Sequence, residues 1–377
     1  MKILKKEKSL PLFSLFLCLI IILGVWLMML ISDTGGISEE ENRALADLPT
    51  FSASALYNGE FFSGLSEFIS DNFPLRDPLS SIYACGKILT GEGEINGVLF
   101  GKDGYLIKRG DYESLDTAKK NLAAAKALSE KLGGADIAII PRACDVMTEK
   151  LPPLYNTRRA EEINRLIASM LPESSALQKN ILAGLSSIEA PFYRTDHHWT
   201  SAGAYEAYRA LCSHLGVSPL PTGHFTPTTV SHGFRGTLSS SSSLRYVSPD
   251  SVELYRFEGD TKYKISSEDA LPELSSFYHL SALDEKDKYK VFLGGNHPFI
   301  SIREEGAEGK PRLLLIKDSF ANSLIPFLAI HFDIDVIDPR YATLPVSEMT
   351  DTSAYDRILF LFGADTLATT AMYKKLR

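Results

Sequence analysis

The sequence predicts an α/β fold: a mainly parallel sheet covered by helices, with an N-terminal transmembrane helix before it and a Ser/Thr/Pro-rich insertion within it. Three observations predict this architecture. An N-terminal stretch carries no charge, apolar runs of strand length alternate with segments of helical periodicity from about residue 114 onward, and one polar stretch breaks that alternation. Continuous apolar strands separated by helices are typical of parallel sheets buried on both faces.

The N-terminal stretch from Leu10 to Ile31 contains 22 residues and no charged side chain. As a helix it would be roughly 33 Å long, about the thickness of a bilayer core. Lysines at positions 2, 5, 6 and 8 precede it, which predicts a cytoplasmic N-terminus and export of the remaining chain. The stretch is long for a signal peptide and no A-x-A cleavage pattern follows it, so an uncleaved anchor is favoured over a cleaved signal.

The predicted organisation is a basic cytoplasmic tail (1–9), the transmembrane anchor (10–31), a polar stalk (32–60) and one extracytoplasmic domain (61–377). Apolar periodicity predicts helices at 61–73, 115–132, 157–171, 201–215, 320–332 and 364–376. Apolar runs predict strands at 136–141, 312–317, 334–338 and 357–362, and a hairpin at 98–107 with its turn at 102–104.

The stretch 217–275 is rich in Ser, Thr, Pro and Gly, and it includes five consecutive serines at 239–243. It predicts an inserted loop or small β region that forms a lid or a substrate wall. The serine run is typical of a solvated loop, and no chemistry is assigned to it.

The charge balance argues against one class of partner. The chain carries a net charge of −8 and its first ten residues carry +3, which leaves −11 for the remainder. Nucleic-acid binding depends on clustered Lys and Arg, so no nucleic-acid partner is expected. Of the four cysteines, Cys18 lies in the apolar stretch. The other three, Cys85, Cys144 and Cys212, fit neither a disulfide framework nor a zinc site and are expected to be buried thiols.

The motif Asp196-His197-His198-Trp199 stands directly before a predicted helix. Imidazole takes and returns a proton near neutral pH, and a carboxylate can hold the ring in one tautomer. In an extended segment, residues two apart point to the same side, so Asp196 is expected to orient His198 as a base while His197 points away. A structural role for the histidines remains open. A metal site is the more specific alternative, because Asp and His are good zinc ligands. No other cluster in the sequence supplies the remaining ligands, so no metal or cofactor is expected.

Ser319 is the candidate nucleophile, because it follows an apolar strand and begins a helix, where reaction sites of α/β folds gather. Backbone N–H groups of Ser319 and Phe320 are expected to stabilise an oxyanion. The alternative is a plain N-cap serine.

Four further side chains are conditional candidates, each with a structural alternative. Asn296 or Asn322 is a candidate oxyanion donor, and an exposed helix position is the alternative for Asn322. Arg340 is a candidate clamp for a carboxylate or an acetyl carbonyl, or a partner of Asp338. Trp199 is a candidate platform for a sugar ring, or a core side chain.

Several blocks together resemble a known family. The motif at 196–199 resembles the signature of the DHHW protein family, and three further stretches match blocks of the same pattern: 292–297 (FLGGNH), 317–323 (KDSFANS) and 337–341 (IDPRY). That family is SGNH-hydrolase-like and resembles the alginate O-acetylation proteins of the AlgX/AlgJ type. The resemblance covers roughly residues 40–375. One departure is Lys317, which stands where SGNH enzymes usually carry glycine.

The resemblance implies a Ser-His-Asp triad of Ser319, His198 and Asp196 in an SGNH-like domain. It implies an O-acyltransferase outside the cytoplasmic membrane, which accepts acetyl groups from a multi-spanning membrane-bound O-acyltransferase and places them on a cell-surface polysaccharide. Two alternatives stay open, a carbohydrate esterase or deacetylase with the same residues, and a non-catalytic polysaccharide-binding scaffold.

Overall fold

A computed structural model describes residues 9–31, 36–38, 43–153, 155–267 and 276–377. The chain divides into two compact units, Met1–Thr90 and Gly91–Arg377. The proposed chemistry lies entirely in the second unit.

The first unit consists of helices with one short β pair. Its elements are α1 (Ser9–Ile31), β1 (Ile37–Ser38), β2 (Arg43–Ala44), α2 (Ala53–Tyr57), α3 (Glu60–Asp71) and α4 (Arg76–Leu89). Helix α3 accounts for the predicted helix at 61–73 and ends at the cap residue Asn72, two residues before Pro74. Most of the predicted stalk segment that is described is irregular chain or the short elements β1, β2 and α2.

Helix α1 covers the stretch for which an anchor is predicted. The side chains of residues 9–12, 30 and 31, at its two ends, lie outside the described part of the chain. Within the described part, no helix is both long enough and apolar enough to cross a bilayer.

The second unit alternates strands and helices. Its strands are β3 (Glu94–Ile95), β4 (Val98–Phe100), β5 (Leu106–Lys108), β6 (Asp136–Ile140), β7 (Thr226–Phe234), β8 (Asp250–Arg256), β9 (Tyr263–Ser267), β10 (Phe299–Glu304), β11 (Arg312–Lys317), β12 (Asp333–Ile337) and β13 (Arg357–Gly363). Its helices are α5 (Asp116–Lys131), α6 (Ala143–Val146), α7 (Thr157–Met170), α8 (Ser175–Ser186), α9 (Ser201–Leu215), α10 (Thr237–Ser242), α11 (Ile325–Ala329), α12 (Val346–Met349) and α13 (Ala364–Thr369).

The central sheet is mixed, which corrects the prediction of a mainly parallel sheet. Its strand order is β6-β13-β11-β12-β10-β9. The pairs β6–β13, β13–β11 and β11–β12 are parallel, whereas β10 pairs antiparallel with both β12 and β9. Parallel neighbours need a crossover, usually a helix, and the chain around β9 and β10 lacks the apolar periodicity from which such helices are predicted.

Alternate residues of the central strands enter two separate cores. Leu313 and Leu315 of β11 pack with apolar side chains of α8, α9 and α11 on one face. Leu314 and Ile316 pack with side chains of α5, α7 and α13 on the other face. The period of two in strands produces this division, and a strand buried on both faces needs a continuous apolar run.

The parallel strands bring polar residues to one edge of the sheet. Because β11, β12 and β13 run in the same direction, their carboxyl ends lie together, and Ser319, Asp338 and Gly363 stand at or just beyond those ends. This edge is where ligands and reactions are located in open α/β sheets.

The described part of the insertion, residues 217–267, contains regular secondary structure. Strands β7 and β8 form an antiparallel pair with two irregularities in register, which fits the predicted small β region. The serine run, however, lies mostly on the short helix α10, with Ser239 and Ser242 buried, so its interpretation as a solvated loop was wrong. The hydroxyls of Ser239 and Ser242 donate to backbone carbonyls, which satisfies them without water.

Two predicted helices are shorter than expected. The helix expected at 320–332 is a 3₁₀ turn, Ser319–Ser323, followed by α11, with Pro326 in the first turn of α11. Proline has no N–H to donate and fits the first turn of a helix, so it divides the segment. The last helix, expected to reach residue 376, ends at Thr369 and a 3₁₀ turn follows it. The hairpin expected at 98–107 is confirmed by the pairing of β4 with β5.

The two-core arrangement makes a prediction about stability. Leu315 is fully buried in the middle of β11, whereas Leu182 on α8 is 39 % exposed. We expect Leu315→Ala to lower the free energy of unfolding by about 2–5 kcal/mol, because it leaves a cavity that the sheet cannot close. Leu182→Ala is the matched control and should cost less than about 1 kcal/mol. Chemical denaturation measures both values, and equal losses would contradict the assignment of the core.

Candidate active site

Ser319 is held at the end of β11 by the side chain of Asp318. One carboxylate oxygen of Asp318 accepts from the backbone N–H of Phe320 at 3.0 Å, and the other accepts from the N–H of Gly363 at 2.7 Å. The backbone N–H of Asp318 donates to Leu361 of β13 at 3.1 Å. Asp318 therefore ties the turn to the neighbouring strand and fixes where Ser319 begins its 3₁₀ turn.

The DHHW motif lies in a tight loop rather than in an extended strand. An isolated antiparallel bridge joins Phe192 to Trp199, and the N–H of Tyr193 donates to the carbonyl of His198. Residues between these bridge partners bend back on themselves before α9 begins at Ser201. This bend, and not the alternation of a strand, brings the Asp196 and His198 side chains together.

Ser319, His198 and Asp196 form a continuous hydrogen-bonded chain. Nε2 of His198 lies 2.9 Å from Oγ of Ser319, and Nδ1 lies 2.6 Å from Oδ1 of Asp196. The exposed fractions of the three residues are 8 %, 6 % and 2 %. The structure thus unites three candidates from distant parts of the chain in the order in which a nucleophile, a base and an orienting acid are arranged.

The carboxylate of Asp196 is saturated with donors. Its Oδ1 also accepts from the N–H of His198 at 2.9 Å, and its Oδ2 accepts from both the N–H and the hydroxyl of Thr237, at 2.7 and 2.9 Å. Burial raises the pKa of Asp196, but the imidazoles of His197 and His198 and these hydrogen bonds lower it further, well below its ordinary value. Asp196 is therefore ionised and can stabilise a protonated His198.

The insertion contacts Asp196 itself, a role that the predicted lid or substrate wall did not include. Thr237 and Gly236 both lie in it, and a Cβ built on Gly236 would stand 2.3 Å from Cβ and Oδ2 of Asp196. Only glycine leaves room for the carboxylate there. The insertion is consequently part of the support of Asp196, in addition to any role as a wall.

Tyr289 is a second residue that the sequence did not reveal. Its ring stacks on His198, with centroids 3.9 Å apart and an interplanar angle of 10°. Its hydroxyl lies 3.2 Å from the carbonyl of Ser319 and 3.1 Å from Oγ of Ser323. Burial raises the pKa of Tyr289, so the phenol stays neutral and can donate. It stands among charged residues at 286–290, a pattern typical of an exposed segment.

The half-buried Asp287 interacts electrostatically with Asp196 and His198. Burial raises the pKa of Asp287, and the charge of Asp196 raises it further, while His198 acts in the opposite direction.

The expected oxyanion donors are only partly available. The N–H of Phe320 donates to Asp318, so its assignment as an oxyanion donor was wrong. Asn322 is buried rather than exposed, and its amide nitrogen is used on the carbonyl of Gly295 and on Oδ1 of Asn296. Of the two asparagines, Asn296 alone keeps an amide nitrogen without a hydrogen-bond partner among the described residues.

A buried lysine fixes the orientation of both amides. Nζ of Lys317, with no exposed surface, donates to Oδ1 of Asn322 at 2.8 Å and to Oδ1 of Asn296 at 3.1 Å. An ammonium group can only donate, so each amide must turn its oxygen toward it. Burial lowers the pKa of Lys317, and Asp338, 3.4 Å away, opposes that effect. Lys317, which stands where SGNH enzymes usually carry glycine, is thus a buried support for both asparagines.

Arg340 and Trp199 both have structural roles in place of the substrate-binding roles considered for them: Arg340 pairs with Asp338, and Trp199 is a core side chain. The Arg340 guanidinium donates to both carboxylate oxygens of Asp338, at 2.9 and 2.7 Å. Because it is engaged in this ion pair, it is not free to bind a substrate carboxylate or carbonyl. Trp199 has no exposed surface, donates its indole N–H to Ser323 and packs edge-on against Phe320. A sugar ring cannot stack on a side chain that is enclosed on all sides.

His197 does not point away from His198, as an extended strand would require. The two rings lie side by side, with centroids 3.9 Å apart and an angle of 37° between them. Nδ1 of His197 lies 2.8 Å from the hydroxyl of Thr237. Burial and the neighbouring His198 lower the pKa of His197 to about 3, against the attraction of Asp196, so this ring is neutral near pH 7.

Three side chains of the DHHW motif also form a cluster that could bind a metal ion, and it is the cluster of this kind in the described part of the chain. Ligand atoms of Asp196, His197 and His198 lie within 4.8 Å of one another. A metal ion at this position would have to replace the proton shared by Asp196 and His198, because both atoms face each other at 2.6 Å. Metal binding and the hydrogen-bonded chain are therefore alternative uses of the same atoms.

Comparison with known proteins identifies this region. Residues 178–337 match the profile of the family described as DHHW protein. This segment is a DHHW family domain. It contains the 196–199 motif, Asn296, Lys317 and Ser319.

Other comparisons place the DHHW domain among related sequences and folds. The probable alginate O-acetylase AlgJ of Pseudomonas syringae pv. tomato (strain ATCC BAA-871 / DC3000) is 23 % identical over 210 residues, which are 52 % of this chain and 50 % of the relative. The chain thus spans about half the length of that relative.

Two solved structures share the fold. A DHHW family protein from Eubacterium siraeum DSM 15702 has a TM-score of 0.60 at 22 % identity, covering 74 % of this chain and 94 % of the other. The structure of Bacillus cereus PatB1 with a sulfonyl adduct has a TM-score of 0.61 at 19 % identity, and the match covers 74 % of this chain and 99 % of the PatB1 chain.

The depressed pKa of His197 predicts how stability changes with pH. An unfolded chain protonates this imidazole below about pH 6.5, whereas the folded protein does so only near pH 3. Because the unfolded state binds more protons between these values, His197 makes stability fall as the pH falls. We expect the loss of unfolding free energy between about pH 7 and about pH 4 to be smaller in His197→Gln than in the wild type.

Urea unfolding at a series of pH values measures this difference. His232→Gln, at an exposed position of β7, is the control and should follow the wild type. If His197→Gln also follows the wild type, the environment assigned to His197 is incorrect.

Proposed function

We propose that this protein is a membrane-anchored, extracytoplasmic O-acyltransferase that places acetyl groups on a cell-surface polysaccharide. Ser319 is the nucleophile, His198 the general base and Asp196 the residue that orients and stabilises it. The observation that carries the proposal is the hydrogen-bonded chain from Ser319 Oγ through His198 to Asp196. Fold similarity alone does not establish an activity, whereas this constellation is the arrangement that nucleophilic catalysis by serine requires.

The first half of the reaction forms an acyl-enzyme. Oγ of Ser319 attacks the acyl carbonyl while its proton passes to Nε2 of His198, and Asp196 stabilises the imidazolium. The tetrahedral intermediate collapses when the bond to the donor's leaving group breaks, and that group takes the proton from His198. The acyl group is then an ester of Ser319.

The second half transfers the acyl group to the acceptor. A sugar hydroxyl approaches the acyl carbonyl, gives its proton to Nε2 of His198 and forms the new ester bond. The bond to Oγ of Ser319 breaks, and His198 returns the proton to that oxygen. With water as acceptor, the same residues would hydrolyse the ester, which is the esterase alternative.

Two donors are proposed for the oxyanion. The backbone N–H of Ser319 has no acceptor among the described residues, and the amide nitrogen of Asn296 is also unpaired there. Asn296 is held by Lys317, two residues before Ser319, and by Asn322, which lies in the same 3₁₀ turn as Ser319. Donors that are fixed before the reaction contribute most to oxyanion stabilisation, because they need no reorganisation.

The comparisons support the chemical class. The similar sequence of Pseudomonas syringae pv. tomato is named a probable alginate O-acetylase, and the similar fold of Bacillus cereus PatB1 carries a sulfonyl adduct. Sulfonyl groups are electrophiles that react with activated nucleophiles, which is the role proposed here for Ser319.

The cellular placement is proposed from the sequence. The uncharged stretch from Leu10 to Ile31 after four lysines supports an anchor with the DHHW domain outside the cytoplasm. An enzyme placed there needs an activated acetyl group from across the membrane, which a membrane-bound O-acyltransferase acting as relay would supply.

Replacement of Ser319 tests the proposal. We expect Ser319→Ala to reduce O-acetyl groups on cell-surface glycan to background, and to slow hydrolysis of p-nitrophenyl acetate by the full-length protein in detergent roughly 10⁴-fold. Ser213→Ala, on the exposed side of α9, is the matched control. Unchanged glycan acetylation with normal amounts of the Ser319→Ala protein would refute the assignment.

The acceptor distinguishes transferase from esterase. If the wild type hydrolyses the ester and cells lacking the protein keep their glycan acetylation or increase it, the esterase is correct. If Ser319→Ala changes neither readout but glycan binding persists, the protein is a non-catalytic scaffold.

Gly236 gives a second test, through the position of Asp196. Its φ of −85° suits any residue, so alanine there acts through contact with the carboxylate and not through backbone strain. We expect Gly236→Ala to lower ester hydrolysis about 100-fold, the cost typical of a misplaced catalytic group. In Gly233→Ala the new Cβ meets nothing within 4 Å, so activity should be retained. Equal activities would show that the contact with Asp196 is unimportant.

A further inference from the structure

We propose that His197 binds a hydroxyl group of the acceptor glycan through its Nε2 atom and so directs the acyl group to sugar instead of water. The inference rests on the proposed function and adds a specificity residue to it. It assigns an acceptor of stated chemistry, a hydroxyl that neighbours the reacting hydroxyl on the same sugar.

The hydrogen bonds of Thr237 determine the tautomer of His197. The Thr237 hydroxyl donates its proton to Oδ2 of Asp196, since a carboxylate only accepts. Its oxygen therefore accepts from Nδ1 of His197, 2.8 Å away. With the proton on Nδ1, a neutral ring presents a lone pair at Nε2.

Nε2 of His197 is open to a ligand. It has no hydrogen-bond partner among the described residues. It is not buried either: the buried side-chain atoms without a partner in the described part of the chain are Tyr193 OH and Arg194 Nε. The side chain of His197 is 27 % exposed, against 8 % for His198. His197 is therefore the more accessible of the two imidazoles.

The His197 ring lies directly beside the ring of the proposed base, His198. In each ring Nδ1 faces Asp196, at 2.6 Å for His198 and 3.6 Å for His197, and the rings are tilted by only 37°. Nε2 of His198 contacts Ser319, and the centroids of the two rings are 3.9 Å apart, so a group bound at Nε2 of His197 lies next to the imidazole that contacts the nucleophile.

This arrangement fits a sugar better than water. Adjacent hydroxyls of one sugar can engage the two imidazoles at once, one giving its proton to His198 and the other donating to His197. Burial and His198 keep His197 neutral, so it accepts a hydrogen bond from a hydroxyl and offers no charge to an anionic group. Water can donate to both nitrogens, but it has no second hydroxyl on a common framework, so the contact with His197 orients a sugar hydroxyl for attack more than it orients water.

Two substitutions of His197 separate this role from support of Asp196. His197→Asn keeps a nitrogen donor near the Nδ1 position, where it can bind Thr237, but it lacks any atom at Nε2. His197→Gln places an amide oxygen near the Nε2 position. We expect His197→Asn to lower glycan O-acetylation in cells about tenfold while p-nitrophenyl acetate hydrolysis by the full-length protein stays within about threefold of the wild type. His197→Gln should restore acetylation to at least half.

The outcomes are distinct. Equal loss of both activities in His197→Asn would show that His197 only supports Thr237 and Asp196, and normal acetylation would show that it contacts no acceptor; either result overturns the proposal. Where His197→Asn does not fold, His197→Ala is judged by the ratio of glycan acetylation to ester hydrolysis, because weaker support of Asp196 lowers both rates and only loss of the acceptor contact lowers the ratio; an unchanged ratio overturns the proposal. Failure of the proposed function has a different signature, since it leaves acetylation intact in Ser319→Ala.

Discussion

The active site depends on one buried carboxylate that must be fully hydrogen-bonded. Asp196 is 2 % exposed, and an ionised carboxylate in that position is tolerable only because His198 and Thr237 donate to it. These donors come from the DHHW loop and from the insertion. The hydrogen bonds to this carboxylate therefore hold the two segments together. They also position His198 so that its Nε2 contacts Ser319 at the end of β11.

A second buried network stabilises the opposite side of the nucleophile. Lys317 and Arg340 share the carboxylate of Asp338, while Lys317 also holds two amide oxygens. Removal of one partner of such a network leaves an uncompensated charge, which is more costly than the net gain from the intact pair. The parallel pairing of β11 with β12 places Lys317 and Asp338 side by side at the strand ends, so the sheet register determines this geometry.

The sequence predicted the features that local patterns encode. The apolar runs at 312–317 and 357–362 became β11 and β13, and the residues selected for acid–base chemistry lie within hydrogen-bond distance. It did not predict the contacts made by residues whose local pattern is ordinary. Tyr289 stands in a charged segment and Gly236 in a polar insertion, and their contacts with His198 and Asp196 depend on long-range packing. The mixed sheet was missed for the same reason, because strand direction is decided by connections and not by apolar content.

The structure also explains why the two histidines of the motif differ. Both stand beside Asp196, but Nδ1 of His198 binds it directly, whereas His197 reaches it through the hydroxyl of Thr237. The direct contact allows His198 to carry a proton, since the carboxylate stabilises the resulting charge. The indirect contact gives His197 a fixed tautomer without that stabilisation, and burial beside another imidazole keeps it neutral. One carboxylate thus produces a proton-transfer group and a hydrogen-bond acceptor from the same residue type.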